Sequence, residues 1–149
     1  MTLFVIKLFH IMFAATWFGT GLALVSDARR SIAAGAPHLG PLYVRLLRAA
    51  KTMIATSVLT IASGLAMVFY SGGFKFVAVR YHIGLSLGLV ALIITLLIHR
   101  VANQMAAVGE PGDATRLGAL RKQLAAMSGI LQLLWCATLA TMVLPILQK

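Results

Sequence analysis

Four stretches of this sequence are too long and too apolar to suit anything but a lipid bilayer. They run over about residues 3–25, 52–70, 79–98 and 124–147. A helix rising 1.5 Å per residue needs about 20 apolar residues to cross a hydrocarbon core of about 30 Å. Hydrocarbon offers no partner to an open peptide group, so each stretch is expected to be helical. The fold class that follows is all-α: a transmembrane four-helix bundle forming one integral membrane domain over residues 1–149. Only 11% of the 149 residues are charged, against about 25% in an average soluble domain. Too few polar side chains remain to cover a water-facing surface.

The net charge of +10 would suggest a nucleic-acid partner in a soluble protein. Here the basic residues flank the apolar runs, where lysine and arginine meet headgroups and fix topology. No basic, aromatic-studded soluble face is left over, so nucleic acid is excluded as a partner. The single Cys136 excludes an intramolecular disulfide and a CxxC motif. The first apolar run opens with no basic region before it, so it is expected to be a retained helix rather than a cleaved signal.

The connections differ in kind. Residues 26–51 contain Gly35, Pro37, Gly40 and Pro41, which are expected to break any continuous helix. Residues 71–75, "SGGFK", predict a tight turn between antiparallel neighbours. Residues 100–123 contain Asp113 and Thr115, either of which suits a cap for the last helix. The two long connections carry nine of the thirteen Lys and Arg residues; the other side has Lys7, Lys75, Arg80 and Lys149. That bias predicts cytoplasmic long connections and both termini outside; the membrane expected is a bacterial inner membrane. All three acids, Asp27, Glu110 and Asp113, then lie on the inner side.

Four histidines carry the chemistry: His10, His38, His82 and His99. His38 sits in a proline-bounded connection and is expected to be solvated. His99 closes the third run beside Arg100, where a positive charge suits a helix C-terminus. His10 and His82 fall inside runs that cross in the same direction, so they are expected at similar depth near the outer face. An ionisable side chain in a membrane helix normally faces the bundle interior and marks function. Two imidazoles at one depth on different helices suit the two faces of a haem iron. Thr16, Gly19 and Gly21, with Gly84, Ser86 and Gly88, are small enough to open a slot. Ordinary small-residue packing explains the same residues without a cofactor.

Lys7, His10, Ala14, Trp17 and Gly21 recur at three- and four-residue steps and share one helix face. Lys7 and Arg80 lie outward of His10 and His82, where they suit the two propionates of a haem; snorkelling to headgroups suits them equally. Trp17 is expected to pack within the bundle, beside a tetrapyrrole if one is present. Thr56, Ser57, Thr60 and Ser63 give the second helix a semi-polar stripe whose hydroxyls are expected to bond their own helix. The methionines are scattered, which gives copper little support.

The stretch "LFHIMFAATWFGTGLALVSDARR" resembles the first helix of a group of small four-helix membrane proteins. The group includes HemJ-type protoporphyrinogen oxidases and CopD-type copper-resistance domains. Its H-x6-W-F/x-G pattern is matched by His10, Trp17, Phe18 and Gly19, and "TSVLTIASGLAMVF" is similar to the group's second helix. The resemblance implies haem b, with His10 as a functional position. The HemJ-type members also carry a lysine early in helix three and an Asn-Glu-Pro-like motif near the last helix. Here Arg80 and His82 stand in helix three and no such motif occurs in helix four.

The expectation is a b-type haem protein with His10 and His82 as axial ligands, passing electrons within the bilayer. Its partners would be lipid and a redox protein or quinone, as a homo-oligomer or a subunit of a larger complex. The alternatives are a HemJ-like oxidase and a cofactor-free accessory or assembly subunit.

Overall fold

The computed structural model describes residues 1–35, 38–108 and 114–147. Among them are four helices and no strand: α1 (Thr2–Ala34), α2 (Leu39–Tyr70), α3 (Val79–Val108) and α4 (Ala114–Leu147). All four are long and apolar enough to cross a membrane, and the chain is an integral membrane protein on that ground. The helices form a ring in chain order. The pairs α1–α2, α2–α3 and α3–α4 pack side by side, α4 closes on α1 along a thinner seam, and α1 and α3 lie on a diagonal.

The helices are longer than the apolar runs. At 30 to 34 residues each they span about 45–50 Å, well beyond a bilayer's ~30 Å. The excess lies at the end bearing the α1–α2 and α3–α4 connections, here the connection end. The opposite end, closed by the α2–α3 turn, is the turn end. Of the expected breakers, Gly35 does end α1, with φ 89°, but Gly40 and Pro41 lie inside α2. Pro41 is the third residue of α2, where its missing N–H would have had no partner in the helix. Pro37, Glu110, Asp113 and Lys149 lie outside the described residues; Thr115 is inside α4 rather than capping it. At the turn end, Gly72 and Gly73 take φ 97° and 95°, a region that glycine enters without steric cost.

One seam holds the ring together. In α1 it runs through His10, Ala14, Trp17, Gly21, Leu24, Ala28 and Ser31. In α2 it runs through Tyr43, Leu46, Ala50, Met53, Ser57, Thr60 and Gly64, and in α3 through Gly84, Gly88, Ala91, Thr95, Ile98, Ala102 and Met105. Each series alternates steps of three and four, the 3.5-residue repeat of a left-handed supercoil.

Burial along the seam is uneven. Leu42, Leu46, Ala50, Ala102 and Met105, towards the connection end, are completely enclosed. In α1 no residue before Trp17 is buried. Outside the bilayer the seam must exclude water, whereas lipid tails are as apolar as leucine and supply no such drive. Arg45 straps α2 to α1 at the connection end: its Nε donates to Asp27 Oδ2 at 2.8 Å and its Nη2 to Ser31 Oγ at 2.8 Å. That pair is exposed and contributes little beyond orientation.

Trp17 marks the middle of the bundle. It is 2% exposed, meets Trp135 of α4 edge-on at 4.9 Å, and donates from Nε1 to Thr95 Oγ1 across the diagonal at 3.1 Å. One side chain of α1 therefore contacts both α3 and α4. Trp17→Ala is expected to destabilise the bundle by about 3–5 kcal/mol through the cavity it leaves. Trp17→Phe, which keeps most of the volume and loses the hydrogen bond, should cost about 1 kcal/mol. Reversible unfolding in mixed micelles measures both; equal costs would mean that the hydrogen bond, not the volume, dominates.

Candidate functional site

His10 occupies the outermost described position of the α1 seam with a polar side chain. Its ring lies against α2, where Nδ1 approaches the Thr60 carbonyl at 2.9 Å and Ser63 Oγ at 3.1 Å. A carbonyl only accepts. The Ser63 hydroxyl is itself directed at the carbonyls of Leu59 and Thr60, at 2.7 and 3.0 Å, so its oxygen is also an acceptor towards His10. Both neighbours therefore demand a proton on Nδ1, and the neutral ring must carry its lone pair on Nε2. No hydrogen-bond partner for Nε2 occurs among the described residues.

Gly64 makes this position possible. A Cβ added there would lie 3.3 Å from His10 Cε1 and 3.7 Å from Nδ1, so even a methyl group would crowd the imidazole by a few tenths of an ångström and a branched side chain would displace it. The neighbouring hydroxyls bond within α2: Thr56 Oγ1 to the Thr52 carbonyl, Ser57 Oγ to Ile54, and Thr60 Oγ1 to Thr56. That is the self-satisfied stripe expected of them.

His82 is elsewhere. Its ring is half-buried and rests on Phe74 of the α2–α3 turn, with centroids 5.6 Å apart. Residue 82 lies roughly 160° around α3 from Gly84, which is on the seam. Two contacts fix its height relative to His10. Trp17 pairs with Thr95, and seven residues outward along each helix this register sets His10 level with Gly88. Independently, Gly88 meets Ile61 of α2, within the same turn of α2 that holds His10. His82 therefore lies six residues, or about 9 Å, farther out than His10. The two imidazoles do not share a depth, and the structure does not bring them together.

The remaining expected residues separate in the same way. Lys7 is exposed, one turn outward of His10. Arg80 lies over the Tyr81 ring at 5.3 Å. Trp17 is enclosed by protein. The small residues expected to open a slot are filled or outward-facing. A Cβ added at Gly21 would lie 3.5 Å from the Met53 methyl group, in ordinary contact; Gly84 lies against the Met142 methyl group, and a Cβ at Gly19 would meet nothing; Thr16 and Ser86 are exposed. His99 is half-buried and accepts from Asn103 Nδ2 at Nε2, 3.1 Å away, which assigns its proton to Nδ1. That Nδ1 is buried without a partner, as are Tyr43 Oη, Ser128 Oγ and Trp135 Nε1. No group of three or more His, Cys, Asp or Glu side chains comes together among the described residues. His38 is exposed at the head of α2.

The fold and this seam define a membrane-spanning four-helix bundle with one oriented imidazole in its turn-end half. No family model matches the chain, and no curated protein or solved structure matches it.

The tautomer is directly measurable. In protein labelled with 15N histidine, the His10 signals should report a protonated Nδ1 and a bare Nε2. Gly64→Val should displace the ring and abolish that pattern. An Nε2–H tautomer in the wild-type protein would contradict the arrangement.

Proposed function

We propose that the chain is a membrane haem protein that binds one b-type haem through His10 Nε2, in the turn-end half of the bundle, and passes electrons within the bilayer. The observation that carries this reading is the hydrogen bond from His10 Nδ1 to the Thr60 carbonyl. Imidazoles that ligate metals donate the other ring N–H to a carbonyl or carboxylate, which fixes the ring and raises the basicity of the ligating nitrogen. A neutral imidazole with a bare Nε2 is also the donor that haem iron takes.

Two further features support it. The α1 seam is only partly buried outward of Trp17, so some apolar surface beside His10 is open to a flat apolar ligand. Lys7, one turn outward, is a cation suited to a propionate. Bound there, haem supplies one-electron chemistry; the protein supplies the ligand, the apolar surroundings and the cation. On the positive-inside rule the connection end would face the cytoplasm, and a haem held by His10 would lie towards the outer face of a bacterial inner membrane. A quinone or a redox protein on that side would exchange electrons with it.

His82 as a second axial ligand is a separate reading, carried by the sequence. It requires the ring to leave Phe74 and α3 to present a different face. Absorption spectra of the detergent-purified protein, oxidised and dithionite-reduced, distinguish the readings. A haem b α-band is expected in the wild-type protein and in His82→Ala, and is lost in His10→Ala. Carbon monoxide is expected to shift the reduced wild-type spectrum, because one imidazole leaves the opposite face of the iron available. A spectrum insensitive to carbon monoxide until His82 is replaced would favour the two-histidine reading. Protein without haem that tolerates both replacements would favour the accessory-subunit role, and accumulation of porphyrinogen in deletion cells the HemJ-like oxidase.

A further inference from the structure

The thin α1–α4 seam contains a groove of about 420 Å³ near the connection end. Its wall is almost wholly apolar, formed by Val25, Ala28 and Ile32 of α1 and Leu124 of α4, with Gly118 and Ala125 keeping it open. Arg29 of α1 and Arg121 and Lys122 of α4 border the same groove, contributing mainly their aliphatic stems to its wall. All three cations are exposed, and none has a hydrogen bond or ion pair among the described residues. Among the described residues, no carboxylate lines the groove. Asp27, nearby on α1, is held by Arg45 and Ser31.

The height of these cations is significant. Arg29 lies one turn beyond Val25, where the apolar run of α1 ends, and Arg121 and Lys122 lie just before Leu124, where that of α4 begins. The three cations therefore border the apolar groove at the membrane boundary, the level at which a phospholipid carries its phosphate, although the apolar wall continues past them to Ile32. Basic pockets between membrane helices bind anionic headgroups in this way. The volume suits a headgroup, a glycerol and the first acyl carbons, with the remaining chain lying in the bilayer.

We propose that this groove is a specific site for one anionic glycerophospholipid. The phosphate is held by Arg29, Arg121 and Lys122, and the upper acyl chains complete the seam that α1 and α4 leave unfilled. Arginine grips a phosphate through two parallel N–H donors and lysine through a point charge. The site is independent of haem binding.

The test uses the full chain in a mild neutral detergent, titrated with phosphatidylglycerol, phosphatidylcholine or glycerol 3-phosphate. Bound lipid is counted by native mass spectrometry and thermal stability is followed in parallel. Phosphatidylglycerol should bind with one-to-one stoichiometry and raise the melting temperature; phosphatidylcholine and glycerol 3-phosphate should do neither. The triple variant Arg29→Gln, Arg121→Gln, Lys122→Gln should bind phosphatidylglycerol about a hundredfold more weakly, at roughly fivefold per cation. Arg48→Gln with Arg100→Gln, which removes two cations outside the groove, should leave binding unchanged and controls for net charge.

Equal weakening in both variants would overturn the site in favour of diffuse attraction. Equal binding of glycerol 3-phosphate would replace the lipid with a soluble phosphate. A detergent-resistant dimer that the triple variant dissociates would assign the groove to a second copy of the chain.

Discussion

Each helix of this protein passes through two solvents, and the packing follows from that change. Inside hydrocarbon the backbone must satisfy itself, which makes helix the available state, but apolar side chains gain nothing by leaving lipid for protein. Beyond the bilayer the same helices meet water, and burial becomes favourable. Enclosed residues accordingly continue beyond the apolar runs at the connection end, around Leu42, Leu46, Ala50, Ala102 and Met105, as well as within them at Met53, Ser57, Thr95 and Ile98. From the middle of the bundle towards the turn end, single hydrogen bonds add to the packing. The tie from Trp17 to Thr95 and the tie from His10 to Thr60 are both of that kind.

The apolar runs gave the number and order of the helices, because lipid imposes helix on any sufficiently apolar stretch; the turn expected over Ser71–Lys75 is longer in the structure, where α2 ends at Tyr70 and α3 begins at Val79. The runs did not give the helix lengths. Reading hydropathy alone stops α2 at Thr52, whereas the helix begins at Leu39. The missing part was present as spacing rather than as apolarity: Leu42, Tyr43, Leu46, Ala50 and Met53 repeat at helical intervals among Arg45, Arg48 and Lys51. Pro41 was misleading for a local reason. Its effect depends on its position within the helix, and in the first turn proline removes no hydrogen bond.

The candidate site was legible to the same partial degree. The face shared by His10, Ala14, Trp17 and Gly21 is the face that packs, because four- and three-residue steps follow one side of a helix whatever surrounds it. The depth of His82 was not legible. Equal direction of travel does not imply equal height, since each helix starts at its own level; His10 is the ninth residue of α1 and His82 the fourth of α3. Its facing was missed as well. His82 is two residues from the seam position Gly84, and two residues in a helix reverse the direction of a side chain. The hydrogen bond that orients His10 could not be anticipated either, because it is accepted by a backbone carbonyl, and any residue at position 60 supplies one.

The small residues bear on where a flat cofactor can lie. Had Gly21, Gly84 and Gly88 opened a slot through the bundle, a haem could occupy its centre. Instead the Met142 methyl group fills the space at Gly84, Met53 and Ile61 leave room for only a methyl group at Gly21 and Gly88, and Trp17 and Trp135 close the middle. His10 and Lys7 lie outward of that tryptophan pair. The α1–α2 seam is close-fitting behind the imidazole, where Gly64 lets the ring approach α2. With Nδ1 turned to the Thr60 carbonyl, Nε2 is the nitrogen through which His10 would hold a metal or a haem, should it bind one.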